Sequence, residues 1–203
     1  MLGNRPILVD LRPETLADGH GDSIRQMSER GKSTSVIQPF TRLRPEVVQA
    51  LTGWDVSFVD VSGSNEAYWQ LLADLWAKAR TFIIVEQDVV VRPDSLDELI
   101  ACQHPWCSFQ VPYVGRLYAG LSCAKFSAGL IARYPDALER IAEIEDTKHT
   151  PSHWCTLDSH LQCHVLNPGG ETMHVHGPEL IHLRDDWSPS APWAIAPTHD
   201  CWR

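Results

Sequence analysis

The feature that most constrains this chain is a short apolar run, Thr81–Val85, that passes directly into two acidic residues, Glu86 and Asp88. A run of this kind is typical of a strand that is buried on both faces of a sheet. Strand-like and helix-like segments alternate around it, which predicts βαβ units and a largely parallel sheet. We therefore expect an α/β fold with both acids at the carboxyl end of a central strand, where open α/β sheets bind ligands.

The spacing of apolar residues predicts the elements in order. Strands are expected at Pro6–Val9, at Ser35–Gln38 where Pro39 halts the run, and at Val56–Val61, Thr81–Val85 and Ser108–Tyr113, with a further candidate at Leu117–Ser122 and one or two within Thr172–Leu183. Helices are expected at Pro45–Leu51, Asn65–Lys78, Pro93–Ile100, Lys125–Ala132, Pro135–Glu145 and His153–Val165. The loop 147–152 and the Pro- and Trp-rich tail after Asp186 are expected to be irregular.

Charge and hydropathy exclude some classes of function. The formal net charge of −9 counts against a large nucleic-acid-binding surface, since such surfaces neutralise phosphates with Lys and Arg. No apolar run approaches the roughly 20 residues that a membrane-spanning helix needs, and the N-terminus lacks the pattern of a signal peptide. We expect a cytoplasmic protein without a membrane span.

Glu86 and Asp88 carry the clearest chemical signal. Carboxylates at positions i and i+2 of an extended chain point to the same side, so that they can share one cation or ligand. Leaving such charges buried and unpaired would cost several kcal/mol. The structural alternative is that they cap the following helix or pair with Arg92.

This order of elements, ending in acid-x-acid, resembles the nucleotide-sugar half of a GT-A-fold glycosyltransferase, over roughly residues 34–183. In that superfamily an Asp-x-Asp motif holds a divalent metal on the diphosphate of a sugar nucleotide; here Glu86 stands in place of the first Asp. The resemblance implies a metal-dependent glycosyltransferase that uses Mn²⁺ or Mg²⁺ and a nucleotide-sugar donor, with a UDP-sugar favoured. It implies that Asp88 is the direct metal ligand and that Glu86 reaches the ribose, the sugar or a metal-bound water.

The same resemblance assigns residues to the donor. Pro39, Thr41 and Arg42 follow the first strand and would lie along the nucleotide, and Asp60 would meet the base or ribose. Gly120 lies in an expected strand-to-helix turn that would cradle the donor sugar.

The resemblance also assigns a proton acceptor and a late histidine. Asp158 would deprotonate the acceptor hydroxyl in an inverting enzyme, or hold the donor sugar in a retaining one. His182 is favoured as a further metal ligand, with His176 as the second candidate. A growing glycan, a protein side chain and a hydroxyl-modified DNA base all fit as acceptor.

On this interpretation residues 1–203 form a single GT-A-like (Rossmann-like) domain with four parts. These are an irregular extension at 1–33, a nucleotide-binding βαβ part at 34–91, a donor-sugar and acceptor part at 92–183, and the tail at 184–203. The small size resembles stand-alone transferases of bacteria or their viruses, which would act in the bacterial or phage-infected cytoplasm.

Two other functions remain open. Seven of the ten histidines fall between His149 and His182, and a cluster built from His160, His164, His174 and His176 would make a zinc or iron metalloprotein, such as a hydrolase. None of the six cysteines forms a CxxC pair, so reduced structural thiols are expected. The third possibility is a nucleotide-sugar-binding module without turnover.

Overall fold

The computed structural model describes residues 7–9, 34–113, 116–144 and 156–183. The strands are β1 (Ile7–Val9), β2 (Ser35–Phe40), β3 (Val56–Asp60), β4 (Phe82–Val85), β5 (Val89–Val90), β6 (Trp106–Phe109), β7 (Val111–Tyr113), β8 (Arg116–Tyr118), β9 (Cys123–Phe126), β10 (His174–His176) and β11 (Ile181–His182). The helices are α1 (Pro45–Ala50), α2 (Ala67–Ala77), α3 (Ser95–Ala101), α4 (Ala128–Arg133), α5 (Ala137–Ala142) and α6 (Leu157–His160), and α6 continues into a π-helical turn, Leu161–Leu166.

The main sheet has seven strands in the order β1-β3-β2-β4-β9-β6-β10. β3, β2 and β4 are parallel to one another, and β6 is parallel to β10. β9 runs antiparallel to both β4 and β6, and β1 runs antiparallel to β3 at the edge. Five of the seven strands therefore run in one direction, and the expected α/β class with a mostly parallel sheet is confirmed.

Helices cover both faces of the sheet because β4 is apolar on both sides. Phe82 and Ile84 pack with α2, α4, α5 and α6 in one hydrophobic cluster. Ile83 and Val85 pack with α1 and α3 in another. All four side chains are almost completely buried, as the apolar run predicted.

The expected helix Lys125–Ala132 is wrong in its first part. Cys123–Phe126 forms β9, which pairs with β4 on one side and β6 on the other. The helix begins only after Ser127, whose Oγ accepts a hydrogen bond from the Leu130 amide (3.1 Å) as an N-cap. The local preference for helix is overridden here because the backbone of this segment pairs with a strand on each side.

Two strand boundaries also differ from the prediction. β2 does not stop at Gln38 but continues through Pro39 to Phe40. Its pairing with β4 ends at Ile37, so Pro39 lies where the strand is paired on one side only, and a missing N–H is tolerated there. The expected strand Ser108–Tyr113 is divided into β6 and β7, which belong to different sheets.

Other local predictions differ less. The helix that was expected to start at Asn65, with Ser64 or Asn65 as a possible cap, starts at Ala67, and no side chain caps it. The candidate strand Leu117–Ser122 contributes only to β8. Four of the predicted segments lie outside the described residues. They are residues 153–155 of the expected late helix, the loop 147–152, the tail at 184–203 and all of the extension except β1. No helix in the described part of the chain is long and apolar enough to cross a membrane.

Candidate active site

The site is built where β4 ends and β9 begins. Because β9 runs antiparallel to β4, its first residue lies beside the last residue of β4, with Val85 opposite Cys123. The Glu86 amide donates to the Ser122 carbonyl oxygen (2.9 Å). The antiparallel strand thus brings the segment around Gly120 to the carboxyl end of the parallel strands.

Glu86, Gln87 and Asp88 form a tight turn, not the extended chain that the sequence predicted. The Val89 amide donates to the Glu86 carbonyl oxygen at 3.1 Å and closes this turn. The carboxylates of Glu86 and Asp88 still act on each other electrostatically. The side chain of Gln87, which lies between the two acids, contacts a different segment, the loop after β2.

Glu86 lies among negative and hydroxyl groups. The Tyr68 hydroxyl, at the start of α2, donates to its Oε1 (3.1 Å). Burial is the largest cause that, together with the charges of Asp88 and Asp158, raises the pKa of Glu86 to about 8, while hydrogen bonds from Tyr68 and Ser122 act in the opposite direction. This carboxyl group therefore holds its proton near neutral pH until a positive charge is brought to the site.

Asp88 is paired with the late histidine that the resemblance favoured. His182 Nε2 lies 3.3 Å from Asp88 Oδ2. The other oxygen, Oδ1, is buried and has no hydrogen-bond partner among the described residues. Two ligands in adjacent positions of an octahedral cation lie about 3 Å apart, given bonds of roughly 2.1 Å. The 3.3 Å distance between Asp88 Oδ2 and His182 Nε2 is close to this value, and Asp88 Oδ1 has no partner among the described residues. Both observations fit the binding of a divalent cation.

Backbone pairing holds this contact in place across a long stretch of chain. β11 pairs antiparallel with β5, so that His182 stands opposite Val89. The Leu183 amide donates to the Asp88 carbonyl oxygen at 2.7 Å. The position of His182 beside Asp88 therefore follows from strand register and does not depend on the side chains alone.

Asp158 lies in the first turn of α6 and forms the other end of the acidic cluster. Its Oδ1 accepts from the Ser159 amide (2.7 Å), and its Oδ2 accepts from the Tyr118 hydroxyl. Burial raises the pKa of Asp158, although these hydrogen bonds act to lower it. A carboxylate with a raised pKa is a better proton acceptor at neutral pH than an exposed one.

Gly120 has a packing role that the sequence did not suggest. A Cβ at this position would lie 2.5 Å from Cε1 and 2.7 Å from Cζ of Tyr118, which is closer than real Cβ contacts allow. The glycine thus leaves room for the ring that donates to Asp158. Its predicted contact with a donor sugar stays a prediction, and the turn that contains it leads into a strand instead of a helix.

Gly120→Ala is expected to displace the Tyr118 ring and to break its hydrogen bond to Asp158. Overpacking of this kind destabilises by about 1–3 kcal/mol, which urea unfolding would measure. Tyr118→Phe is the matched control, because it removes the same hydrogen bond without a clash. Equal stability of Gly120→Ala and the wild type would contradict the packing role.

Gln87 ties the loop after β2 to the acidic turn. Its Oε1 accepts hydrogen bonds from the Thr41 amide (2.5 Å), the Thr41 hydroxyl (3.2 Å) and the Arg42 amide (3.0 Å). The loop that the resemblance places along the nucleotide is therefore fixed by the middle residue of the acid-x-acid motif.

Gln87→Met removes this acceptor at nearly constant volume. We expect amide hydrogen exchange at Thr41 and Arg42 to become up to about tenfold faster, as for the loss of roughly 1 kcal/mol of hydrogen bonding. The Val61 amide, which donates to the Phe40 carbonyl oxygen (2.8 Å), is the internal control. Unchanged exchange at Thr41 would show that the loop is held by other contacts.

The remaining predicted residues lie apart from this cluster or at its rim. Asp60 ends β3, and its Oδ1 accepts from the Ser62 amide (2.8 Å), so hydrogen bonding with Ser62 lowers the pKa of Asp60. Pro39 is a buried part of β2. His176, the second candidate ligand, faces Glu98, with Nδ1 3.8 Å from Oε2.

Sequence reasoning missed three residues of the site: Gln87, Tyr68 and Tyr118. Tyr68 has the same helical spacing as the apolar residues Leu71, Leu72 and Leu75, which marks it as a core residue, yet a buried tyrosine hydroxyl needs a partner, and that requirement was the available signal. No local pattern marks Tyr118, because its partner Asp158 is distant in sequence.

Comparison with known proteins gives limited information. No protein-family model matches the sequence, and no curated protein matches it. Among solved structures, the chain is similar to CMP:2-keto-3-deoxy-manno-octonic acid synthetase complexed with CTP, at 13% sequence identity and a TM-score of 0.38, over 77% of this chain and 78% of that chain. A likeness at this TM-score carries no argument about function, and the case below rests on the site itself.

Proposed function

We propose that the protein is a metal-dependent glycosyltransferase, which moves a sugar from a nucleotide-sugar donor to an acceptor hydroxyl. The observation that carries this proposal is the arrangement at the end of β4. Asp88, which pairs with His182, and Asp158, which accepts a hydrogen bond from Tyr118, both act through their charges on the same buried carboxyl group, Glu86. Glycosyl transfer from a sugar diphosphate needs both capacities close together.

Asp88 and His182 would hold Mn²⁺ or Mg²⁺. Such ions are bound by one or two protein carboxylates and keep further positions for substrate phosphates. When bound, the ion offsets the negative charge that develops on the departing diphosphate. The Oδ1 atom of Asp88, which has no hydrogen-bond partner among the residues that the structure describes, supports this assignment, since a buried carboxylate oxygen without a hydrogen bond is costly unless a ligand meets it.

The donor would lie across the carboxyl ends of β2, β3 and β4. Thr41 and Arg42 would contact the nucleotide from the loop that Gln87 fixes, next to Pro39. Asp60, at the end of β3, would accept hydrogen bonds from the base or ribose. We favour a UDP-sugar as the donor and place the donor sugar near Glu86 and Gly120.

Asp158 would act on the acceptor. In an inverting reaction its carboxylate takes the proton of the attacking hydroxyl while the new carbon–oxygen bond forms and the bond to the diphosphate breaks. Tyr118 orients that carboxylate through its hydrogen bond to Oδ2. In a retaining reaction Asp158 would hold the donor sugar.

A glycan, a protein side chain and a hydroxyl-modified DNA base fit as acceptor, and the first two agree better with the net charge of −9.

A thermal-shift panel of UDP-, GDP-, CMP- and dTDP-sugars, each with Mn²⁺ and with EDTA, tests this function. One donor is expected to raise Tm by roughly 5–10 °C at about 100 times its Kd, in the presence of metal only. Release of nucleoside diphosphate from that donor would support turnover. Binding without any release, across acceptor classes, would favour a non-catalytic binding module.

The same panel tests the remaining alternative. No shift with any donor would contradict the proposed transferase and leave a histidine-based metalloprotein as the alternative.

A further inference from the structure

A second group of metal-ligating side chains lies on the face of the sheet that α3 covers. Cys102 follows α3, and His174 and His176 lie on β10. One possible ligand atom from each of these three residues lies within 4.8 Å of the other two. Cys102 is distant in sequence from the two histidines, so no spacing in the sequence indicated this group.

The two histidines are held as metal ligands usually are. Nε2 of His176 is buried and has no hydrogen-bond partner in the part of the chain that the structure describes. Its other nitrogen, Nδ1, lies 3.8 Å from Glu98 Oε2, which is beyond hydrogen-bond distance but places a carboxylate on the side where ligating imidazoles commonly have one. The His174 ring stacks on His104, with centroids 4.2 Å apart and planes 3° from parallel, which fixes its orientation.

We propose that Cys102, His174 and His176 bind one zinc ion, with water in the fourth tetrahedral position. Thiolate and imidazole are the ligands that Zn²⁺ takes, whereas Mg²⁺ and Mn²⁺ prefer oxygen. This site shares no residue with the Asp88–His182 pair, and it does not depend on the proposed transferase activity.

One neighbouring charge opposes the zinc ion. The Lys125 ammonium donates to the Cys102 carbonyl oxygen. Its charge also acts on His176. The Cys102 thiolate would offset this repulsion, since the Glu98 carboxylate already pairs with Arg92. Arg92, which pairs with Glu98 at 2.9 Å, keeps that carboxylate in place.

The zinc ion would fix the short edge strand β10 to the end of α3. β10 has three residues, and among the described strands it pairs with β6 alone. The chain continues from it to Pro178, whose carbonyl oxygen accepts from Arg92 (2.6 Å), and then to His182. Holding β10 therefore helps to hold the segment that supplies His182, without any contact with a substrate.

The test begins with metal content. Protein purified without a histidine tag and without chelator is expected to contain about one zinc per chain, and Asp88→Asn is expected to keep it. EDTA is expected to lower Tm, with recovery on adding Zn²⁺ but not Mg²⁺. Absence of zinc from the purified protein, together with no uptake of added Zn²⁺, would overturn the proposal.

Cobalt substitution identifies the ligands. The Co²⁺ protein is expected to show a thiolate-to-cobalt charge-transfer band, which Cys102→Ser abolishes and Cys163→Ser leaves unchanged, since Cys163 is an exposed thiol outside the group. A band that survives in Cys102→Ser would overturn the assignment.

A measurement on the wild type covers the case in which Cys102→Ser does not fold. Zn²⁺, and not Mg²⁺, is expected to slow maleimide labelling of Cys102 at least tenfold relative to Cys163, as mapped by mass spectrometry. Equal labelling with and without Zn²⁺ would again reject the site.

Discussion

Asp88→Asn is expected to abolish the metal-dependent binding of the donor and to leave the fold intact. Asparagine keeps the size of the side chain but removes the negative charge that a divalent cation requires beside His182. The Tm rise that a donor with Mn²⁺ causes in the wild type, roughly 5–10 °C at about 100 times Kd, should disappear in the variant. Thermal shift with and without Mn²⁺ measures this directly.

The protein offers a matched control for this change. Asp97→Asn removes an exposed carboxylate from α3 and should keep the full donor response. A collapse of Tm in Asp88→Asn without ligand would indicate that the acidic turn is structural. A normal donor response in Asp88→Asn would reject the metal pair and with it the central part of the proposed function.

The sequence predicted those parts of the fold that depend on local composition. The run that forms β4 is apolar at every position, and only a central strand with helices on both sides buries such a run. The acidic residues after it could be placed at the carboxyl end of the sheet for the same reason. His182 was favoured by resemblance, and its contact with Asp88 arises from the pairing of β11 with β5.

β9 could not be predicted because its residues show no pattern that is typical of a strand. Cys123–Phe126 contains alanine and lysine, which favour helix, and the strand exists because β4 and β6 both pair with it. Lys125 is tolerated in this buried strand because its ammonium reaches the Cys102 carbonyl oxygen. Such a long-range contact leaves no periodicity in the sequence.

The same limit applies to the site. The hydrogen bonds from Tyr118 to Asp158 and from Tyr68 to Glu86 join segments that lie far apart along the chain. The fit between Gly120 and the Tyr118 ring becomes evident only when their distances are known. Sequence reasoning could name the acids, but it could not name the hydroxyl groups that orient them.

Asp158→Asn is expected to lower turnover by roughly 10²-fold or more, as for the loss of a general base, and to leave the affinity for the donor near normal. The asparagine oxygen can still accept from the Ser159 amide, and its amide nitrogen can donate to the Tyr118 hydroxyl oxygen, so the local geometry is preserved. Initial rates of nucleoside diphosphate release, with KM for the donor, measure both effects. Glu139→Gln, an exposed change on α5, is the control.

The same substitution is expected to raise stability at neutral pH, which separates a catalytic role from a structural one. Burial raises the pKa of Asp158, while hydrogen bonds from Tyr118 and the Ser159 amide offset this in part. Below the ordinary Asp pKa of about 3.9, both the folded and the unfolded chain hold the proton and the carboxyl group costs nothing extra. As pH rises, the unfolded chain ionises first, so the folded state loses stability until its own raised pKa is passed.

Asparagine cannot ionise, so the stability gained by Asp158→Asn should be present at pH 7 and should shrink as the pH falls towards 4. Urea unfolding at both pH values measures this difference. A variant that is less stable than the wild type at pH 7 would mean that the carboxylate holds the fold together. Unchanged turnover would remove Asp158 from the reaction. Higher stability together with lost turnover is the result expected of a buried carboxyl group that is retained for its chemistry, because such a group is kept at the expense of stability.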